Sequence, residues 1–452
     1  MDIQPPEIEQ DIKNLDYWLV GGAVRDLYLG KTPKDRDYVV TNTTEQEMEE
    51  RGFTKIDASN FPVYQDSNGD EWALARKEIS TGEGYTDFKT TTDNVTLKED
   101  LLRRDFTINA IAYQPETEQW EYIVASEDNY AAHSIRDLDE GIIRHITDAF
   151  NEDPLRILRM ARFAARYDFE IADHTMHKSQ DNAHKINELP GERITEEIKK
   201  AMEQAKNPRK YWETLKESGA LAEIMPKVDQ YENVSAGPEK WHEEENMWEH
   251  AMMTVEEAQK IRPNTPDFLL MALLHDIGKV KSNKNPDHGI HPSSGLPIIR
   301  NMSKRLKFSN DLTQKLLDAS KHHMRIHSTP MKAHDRMCEK KVLDLVKQLE
   351  SSKGISLEEL IDLAKADARG RKPTQEIYIE GIKKRINTAK EAIEKIDAEQ
   401  VTSKRGKDIE DYSGEAISQM IIQDRVEYMK RHQEPVKKSV IDKIKEKVNS
   451  LF

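Results

Sequence analysis

The spacing of apolar positions changes character once along the chain. From Asp16 to about Val124 it favours short extended runs: Tyr17–Val20, Asp37–Thr41, Glu71–Arg76, Thr107–Tyr113 and Gln119–Ile123. Helical and glycine-bearing pieces lie between them. Beyond about Ile142 the two-residue alternation fades, and three- to four-residue spacing runs almost to the C-terminus. The pattern predicts an α+β chain, a small head with a mixed sheet followed by an elongated all-α body. Residues 1–16 read as a loosely docked arm, and Arg76–Phe88, with Gly82 and Gly84, as a mobile loop or equally as an ordinary hairpin connection.

One predicted helix, within Asn151–Phe169, is unusually well marked. Asp153 is an N-cap carboxylate and Pro154 takes the first helical position, where its missing N–H costs nothing. Leu155, Leu158, Met160 and Phe163 form the predicted buried stripe. Arg156, Arg159, Arg162 and Arg166 recur at three- and four-residue spacing, so several share a flank. No acidic residue of the same helix stands four residues on to pair with them. The stripe therefore reads as donors for phosphates or base edges.

Length and composition narrow the class. The 452 residues suffice for two to four domains, and 33% charged against 37% hydrophobic residues describes a helix-rich chain with thin cores. No apolar run approaches the roughly 20 residues of a membrane span. The acidic N-terminus lacks the basic and apolar regions of a secretory signal. A single cysteine, Cys338, excludes an internal disulfide and fits a reducing cytoplasm. The net charge of −15 weighs against indiscriminate coating of nucleic acid, while local basic stripes still permit specific binding.

Candidate chemistry appears first at Leu19–Asn42. A short strand leads into Gly21-Gly22, a brief helix carries Arg25 and Asp26, and a second strand carries Asp35 and Asp37. Strand positions two apart share a face, so both carboxylates point with Val39. Like charges so close repel, and a hard divalent cation relieves them. Gly21 and Gly22 let backbone N–H groups approach a phosphate, beside the planar fork of Arg25. Alone, Gly-Gly is usually a turn and Asp-x-Asp an exposed strand end. Their order and spacing point to a metal-bound triphosphate.

GGxVRD followed by DxD resembles the nucleotidyltransferase signature of the polymerase-β superfamily. Within it, the motif resembles the class II branch of bacterial CCA-adding enzymes and poly(A) polymerases. The resemblance implies a polymerase-β-like head in which Asp35 and Asp37 hold Mg²⁺, with Gly22 and Arg25 at the nucleotide. A third carboxylate is usual in the superfamily, and Asp70 and Glu71 are both candidates. RRDFTINA matches a class II motif near the ribose and phosphates, which implies Arg103 as a contact, ahead of Arg104 and Asp105. EDPLRxLRxxRFAAR matches the class II template motif, which implies that Asp153 and Arg156 pair with the incoming base, assisted by Arg159 and Arg162. An Asp accepts from an exocyclic amine and an Arg donates to ring nitrogen or carbonyl oxygen, and C and A share that amine.

Histidines crowd the stretch from His242 to His334. His250 lies in a helical run, and LLMALLHDIGK puts His275 and Asp276 at the end of an apolar helix. His291, then His322, His323 and His327, then Asp367 follow. A lone histidine is usually a surface or satisfied core residue, whereas this order is a metal-site pattern. It resembles the HD phosphohydrolase signature H…HD…D. That resemblance implies His250, His275, Asp276 and Asp367 as ligands of a divalent transition metal such as Ni²⁺ or Mn²⁺. It leaves His291 and His323 as possible holders of a second metal or the phosphate, and spacing against the family favours His323 over His322 and His327.

A class II head joined to an HD domain looks like the bacterial multifunctional CCA-adding proteins, with similarity from about Trp18 to Gly370. The implied organisation is a nucleotidyltransferase head (1–145), a helical neck and body (146–240), an HD phosphohydrolase domain (241–370) and a helical tail (371–452). The implied partners are tRNA, CTP and ATP, with no membrane, in a cytoplasmic monomer or homodimer. The HD part would act as a phosphatase, 2′-nucleotidase and 2′,3′-cyclic phosphodiesterase. The alternatives are a poly(A) polymerase and a non-catalytic RNA-binding protein with a degenerate head.

Overall fold

The computed structural model describes residues 5–33, 35–56, 62–80, 88–123, 133–237, 243–281, 291–327, 339–372, 374, 379–405 and 408–432. Two compact units divide the chain, Met1–Ile224 and Met225–Phe452. In the stretch Arg76–Phe88, Lys77–Ser80 and Phe88 belong to a hairpin, the alternative to a mobile loop, and 81–87 lie outside the described residues.

In the first unit, β1 (Asp16–Val20) leads through α1 (Gly22–Tyr28) to β2 (Asp37–Thr41). Then come α2 (Glu45–Glu50), β3 (Thr54–Ile56), β4 (Val63–Gln65) and β5 (Glu71–Leu74). A separate hairpin pairs β6 (Lys77–Ser80) with β7 (Phe88–Thr91). After α3 (Leu97–Leu102), the strands β8 (Ile111–Gln114) and β9 (Gln119–Tyr122) complete a seven-stranded sheet. Its order is β3-β4-β5-β2-β1-β8-β9. The sheet is mixed: β2 runs parallel to β5 and antiparallel to β1, which is antiparallel to β8.

Alternation assigns the two faces. Trp18, Val20, Val39, Ala110 and Ala112 pack with Leu97 and Leu101 of α3. On the other face Tyr38 stacks on Trp72 at 4.3 Å, with Tyr17 and Phe53 against the same indole. The predicted strand over Thr107–Tyr113 is shorter than expected, because Thr107–Asn109 forms a 3-10 turn. Polar side chains hold that turn: Thr107 Oγ1 donates to Asp137 (2.8 Å) and Asn109 Nδ2 to Asp105 (2.9 Å). Strand structure also persists beyond Ile142, as the two-residue parallel pair β10 (Ile142–Ile143) and β11 (Glu170–Ile171).

The rest of this unit is helical. After α4 (Ser134–Glu140) come α5 (Leu155–Tyr167), α6 (Asp173–Asn182), α7 (Gly191–Gln204), α8 (Pro208–Glu217) and α9 (Ala220–Ile224). The first turn of α5 is capped as expected, Leu155 N–H donating to Asp153 Oδ1 at 3.0 Å. Helix α5 packs on α7 and α8, and its Leu158, Met160 and Phe163 are buried, whereas Leu155 is only half-buried and Ile157 takes its place in the stripe.

The second unit contains α10 (Pro226–Asp229), α11 (Met247–Ile261), α12 (Pro266–Leu274), α13 (His291–Leu306) and α14 (Asn310–His327). It continues with α15 (Glu339–Ser352), α16 (Leu357–Arg369), α17 (Ile379–Lys395), α18 (Ala398–Ser403) and α19 (Gly414–His432). Phe268 to Leu274 of α12 are all buried, as befits a helix apolar on every side. Helices α11, α14 and α16 pack around it. Among the described residues no helix is long and apolar enough to cross a membrane.

Candidate active sites

The first candidate site forms where β1 and β2 meet the turn after β1. Asp37 opens β2, and the parallel register sets it beside Glu71, the first residue of β5. Laterally paired strand residues share a face, so Glu71 joins Asp37, while Asp70 falls in the preceding turn and donates its N–H to Asp66. Asp35 lies two residues outside the strand rather than on it, and still raises the Asp37 pKa. Asp37 keeps a solvent-accessible edge. The protein crowding its carboxyl raises the pKa most, Glu71 adds to this, and Arg104 opposes both. Three carboxylates in mutual repulsion suit a hard divalent cation.

Gly21 sits at φ 64, a left-handed conformation favourable only to glycine. A Cβ there would lie 2.8 Å from Arg104 Nη1, so the guanidinium rests directly on the turn. Arg104 is the residue that sequence reasoning ranked behind Arg103. Arg103 instead turns to Asp100 and to the Arg76 carbonyl (3.1 Å). Arg104 reaches Asp100 through Nη2 (3.0 Å), but its buried Nε has no hydrogen-bond partner among the described residues.

Arg25 corrects a second expectation. Its guanidinium is not an open fork: it is 3% exposed, bonds Asp26 (3.0 Å) and Asn109, and lies over the rings of Phe163 and Tyr167. Gly22 starts α1 beside it. The arginine stripe on α5 also differs from its reading as unpaired donors. Arg159 pairs with Asp105 (2.6 Å), Arg162 with Glu197 (2.7 Å) and Arg166 with Asp26 (3.1 Å). These acids come from other elements, which is why within-helix spacing could not reveal them. Buried though it is, Asp105 is held at a pKa of about 2, chiefly by Arg159 with help from Asn109 and Arg156.

Arg156 is the exception. Its Nη2 donates to the Arg103 carbonyl (2.8 Å), while its buried Nη1 has no partner among the described residues. Asp153 Oδ2 faces Arg193 Nη2 at 3.2 Å. Arg156 N–H donates to the Asp153 carbonyl (3.0 Å), and its side chain is joined through the Arg103 carbonyl to the neighbouring Arg104, whose charge acts on Asp37. Two unmatched guanidinium donors, Arg104 Nε and Arg156 Nη1, stand along that path.

In the second unit, four helices deliver one cluster. His250 comes from α11, His275 and Asp276 from the end of α12, Asp367 from α16 and His323 from α14. His250 Nε2 lies 3.3 Å from Asp367 Oδ1 and 3.7 Å from Asp276 Oδ2. His275 Nε2 lies 3.4 Å from Asp276 and 3.9 Å from Asp367, and it has no hydrogen-bond partner among the described residues. Such separations are those of neighbouring ligands, each about 2 Å from one ion. Two imidazole nitrogens with two carboxylates suit a transition metal. His250, His275 and Asp276 alone already form a buried group fit to hold one.

Around the cluster, His323 Nε2 meets the other oxygen of Asp276 at 3.0 Å. His322 turns instead toward Arg325, and burial lowers its pKa to about 4. The His291 side chain lies outside the described residues. Sequence reasoning missed three supports. Lys279 pairs with Asp276 (2.5 Å) and Arg371 grips Asp367 (2.8 Å), at i+3 and i+4 spacings that could have been noticed. Glu244 lies 3.2 Å from His250 and carried no local signal. Burial pulls the His250 pKa down, but Asp367 and Glu244 overcome it and raise it to about 9.

Comparisons with known proteins cover both units of the chain. The family described as "Poly A polymerase head domain" matches residues 17–144, "Probable RNA and SrmB- binding site of polymerase A" matches 168–232, and "HD domain" matches 245–371. Among solved structures, the apo form II of a CCA-adding enzyme aligns with a TM-score of 0.61 at 22% identity, over 97% of this chain and 93% of that one. A Thermotoga maritima CCA-adding enzyme complexed with tRNA-CCA aligns with a TM-score of 0.57 at 20% identity, over 97% and 92%. A curated multifunctional CCA protein from Psychromonas ingrahamii is 40% identical over 322 residues, which span 69% of this chain and 76% of that protein. On the strength of that relative, the chain belongs to the multifunctional CCA protein family.

Proposed function

We propose that this protein adds or repairs the 3′-terminal CCA of tRNA, taking CTP and then ATP without a nucleic-acid template. The observation that carries the reading is the continuous path from the carboxylates Asp35, Asp37 and Glu71, over Arg104 on the Gly21 turn, to Arg156 and Asp153. Mg²⁺ held by those carboxylates would lower the pKa of the RNA 3′-hydroxyl and stabilise the departing pyrophosphate. Arg104 offers Nε to the triphosphate, and the bare backbone of Gly21 lets it approach. Asp153 accepts from the exocyclic amine of the base while Arg156 Nη1 donates to its ring edge. Arg25 and Arg159 act one step back, holding α5 against the head, while Arg162 ties α5 to Glu197 of α7.

The HD cluster is proposed to hydrolyse phosphate or 2′,3′-cyclic phosphate ends. A divalent transition metal such as Ni²⁺ or Mn²⁺ would supply Lewis acidity toward the phosphoester there. His250, His275, Asp276 and Asp367 would hold it, and Lys279 and Arg371 keep the two carboxylates aimed.

Purified protein given tRNA lacking its 3′ end, with each nucleotide separately and together, tests the head. Addition of C, C and A followed by arrest is the expected result. Unlimited A addition with C ignored would establish a poly(A) polymerase instead.

A further inference from the structure

Glu244 belongs to no motif, yet it touches a cluster histidine. It stands in the bend before α11, is 6% exposed, and places Oε1 3.2 Å from His250 Nδ1. The Gly370 carbonyl lies 3.1 Å from the same nitrogen. Facing two acceptors, Nδ1 carries the ring proton in the neutral imidazole. Nε2 then turns its lone pair toward Asp276 and Asp367. An imidazole serves a cation well when its far nitrogen is protonated and held in this way.

The second oxygen of Glu244 has its own task. Oε2 accepts the Lys372 backbone N–H at 3.3 Å, and Glu243 N–H donates to the Lys372 carbonyl at 2.8 Å. Glu244 therefore joins the start of α11 to the segment just after α16, the two elements that bring His250 and Asp367. A backbone tether alone needs only a neutral acceptor, and burying a carboxylate is costly unless its charge is used. A proton donor on a ligand histidine is such a use, beside the neighbouring charge of Arg371.

We propose that Glu244 is a positioning residue of the HD centre, fixing the Nδ1–H tautomer and the ring plane of His250 so that Nε2 meets a divalent cation. The inference rests on reading the cluster as a metal centre, and the experiment separates the two. The full-length protein, freed of metal, is titrated with Co²⁺ and its visible ligand-field absorption is followed. Glu244→Ala is expected to bind Co²⁺ some ten- to a hundredfold more weakly than the parent, the range typical for supporting groups of metal ligands. Glu244→Gln keeps an acceptor oxygen and is expected to fall between the two. Far-ultraviolet circular dichroism of the metal-free proteins should be unchanged.

Histidine-selective ¹⁵N NMR of the parent loaded with diamagnetic Zn²⁺ is expected to find the His250 proton on Nδ1 and the cation on Nε2. A proton on Nε2 would overturn the proposal even if Glu244→Ala failed to fold. Co²⁺ affinity of Glu244→Ala within threefold of the parent would overturn it as well. His275→Ala serves as the separate control: binding as tight as the parent would instead sink the metal-centre reading itself.

Discussion

At the scale of single residues, register and facing decide roles that composition leaves open. Asp70 and Glu71 are equivalent as letters, and only the pairing Asp37↔Glu71 distinguishes them. Glu71→Gln is therefore expected to lower the rate of nucleotide addition about 10²-fold or more, with Asp70→Asn within a few-fold of the parent, in single-turnover assays at saturating CTP. Asp37→Ala should be at least as severe as Glu71→Gln. The Arg103–Arg104 pair poses the same problem, since neighbouring residues face different ways. Arg104 was underrated because the sequence does not show that Gly21 lies beneath it. Replacing Arg104 by Lys keeps the charge and removes the planar fork, so KM for the nucleotide should rise roughly tenfold, measured against CTP and ATP separately.

At the scale of elements, α5 shows where periodicity succeeds and where it stops. The Asp153-Pro154 start and most of the apolar stripe were legible because they depend on neighbours in sequence. The partners of its arginines were not, because Asp26, Asp105 and Glu197 come from other elements. Asp26 alone collects Arg25, Arg166 and the Tyr167 hydroxyl, tying the last turn of α5 to α1. Phe163, buried edge-on against Phe106 at 5.8 Å, is the apolar counterpart of those ties. Phe163→Ala should cost about 3–5 kcal/mol in denaturant unfolding of the first unit.

The junction before α5 also carries a titratable group. Burial, then His174, lowers the His145 pKa to about 4, and its ring bonds Thr175 Oγ1 at 2.8 Å. Between pH 6.5 and 4 the unfolded chain binds a proton that the folded one refuses, so stability falls as pH falls through that window. The ring is only half-buried, so the loss should be at most about 2 kcal/mol. His145→Gln should flatten that part of the stability–pH curve.

At the scale of the whole molecule, the residues proposed for the two chemistries fall in different units and none is shared. His275→Ala is expected to abolish hydrolysis of 2′,3′-cyclic phosphate ends and leave CCA addition intact, and Asp37→Ala to do the reverse. Loss of both activities in either variant would show the units to be interdependent. Most of this plan was readable in the order of motifs, since Gly21-Gly22 with Asp35 and Asp37, and the pair His275-Asp276, each keep their letters close together. What brings His250, Asp276 and Asp367 together is the seven-residue apolar stretch of α12, on which α11 and α16 pack. A cation bound there at a hundred times its dissociation constant adds about 2.7 kcal/mol to whatever must come apart to release it. Warming the protein with and without such an ion should therefore displace the melting of Met225–Phe452 upward, making the cofactor a clamp on the same apolar helix that presents it.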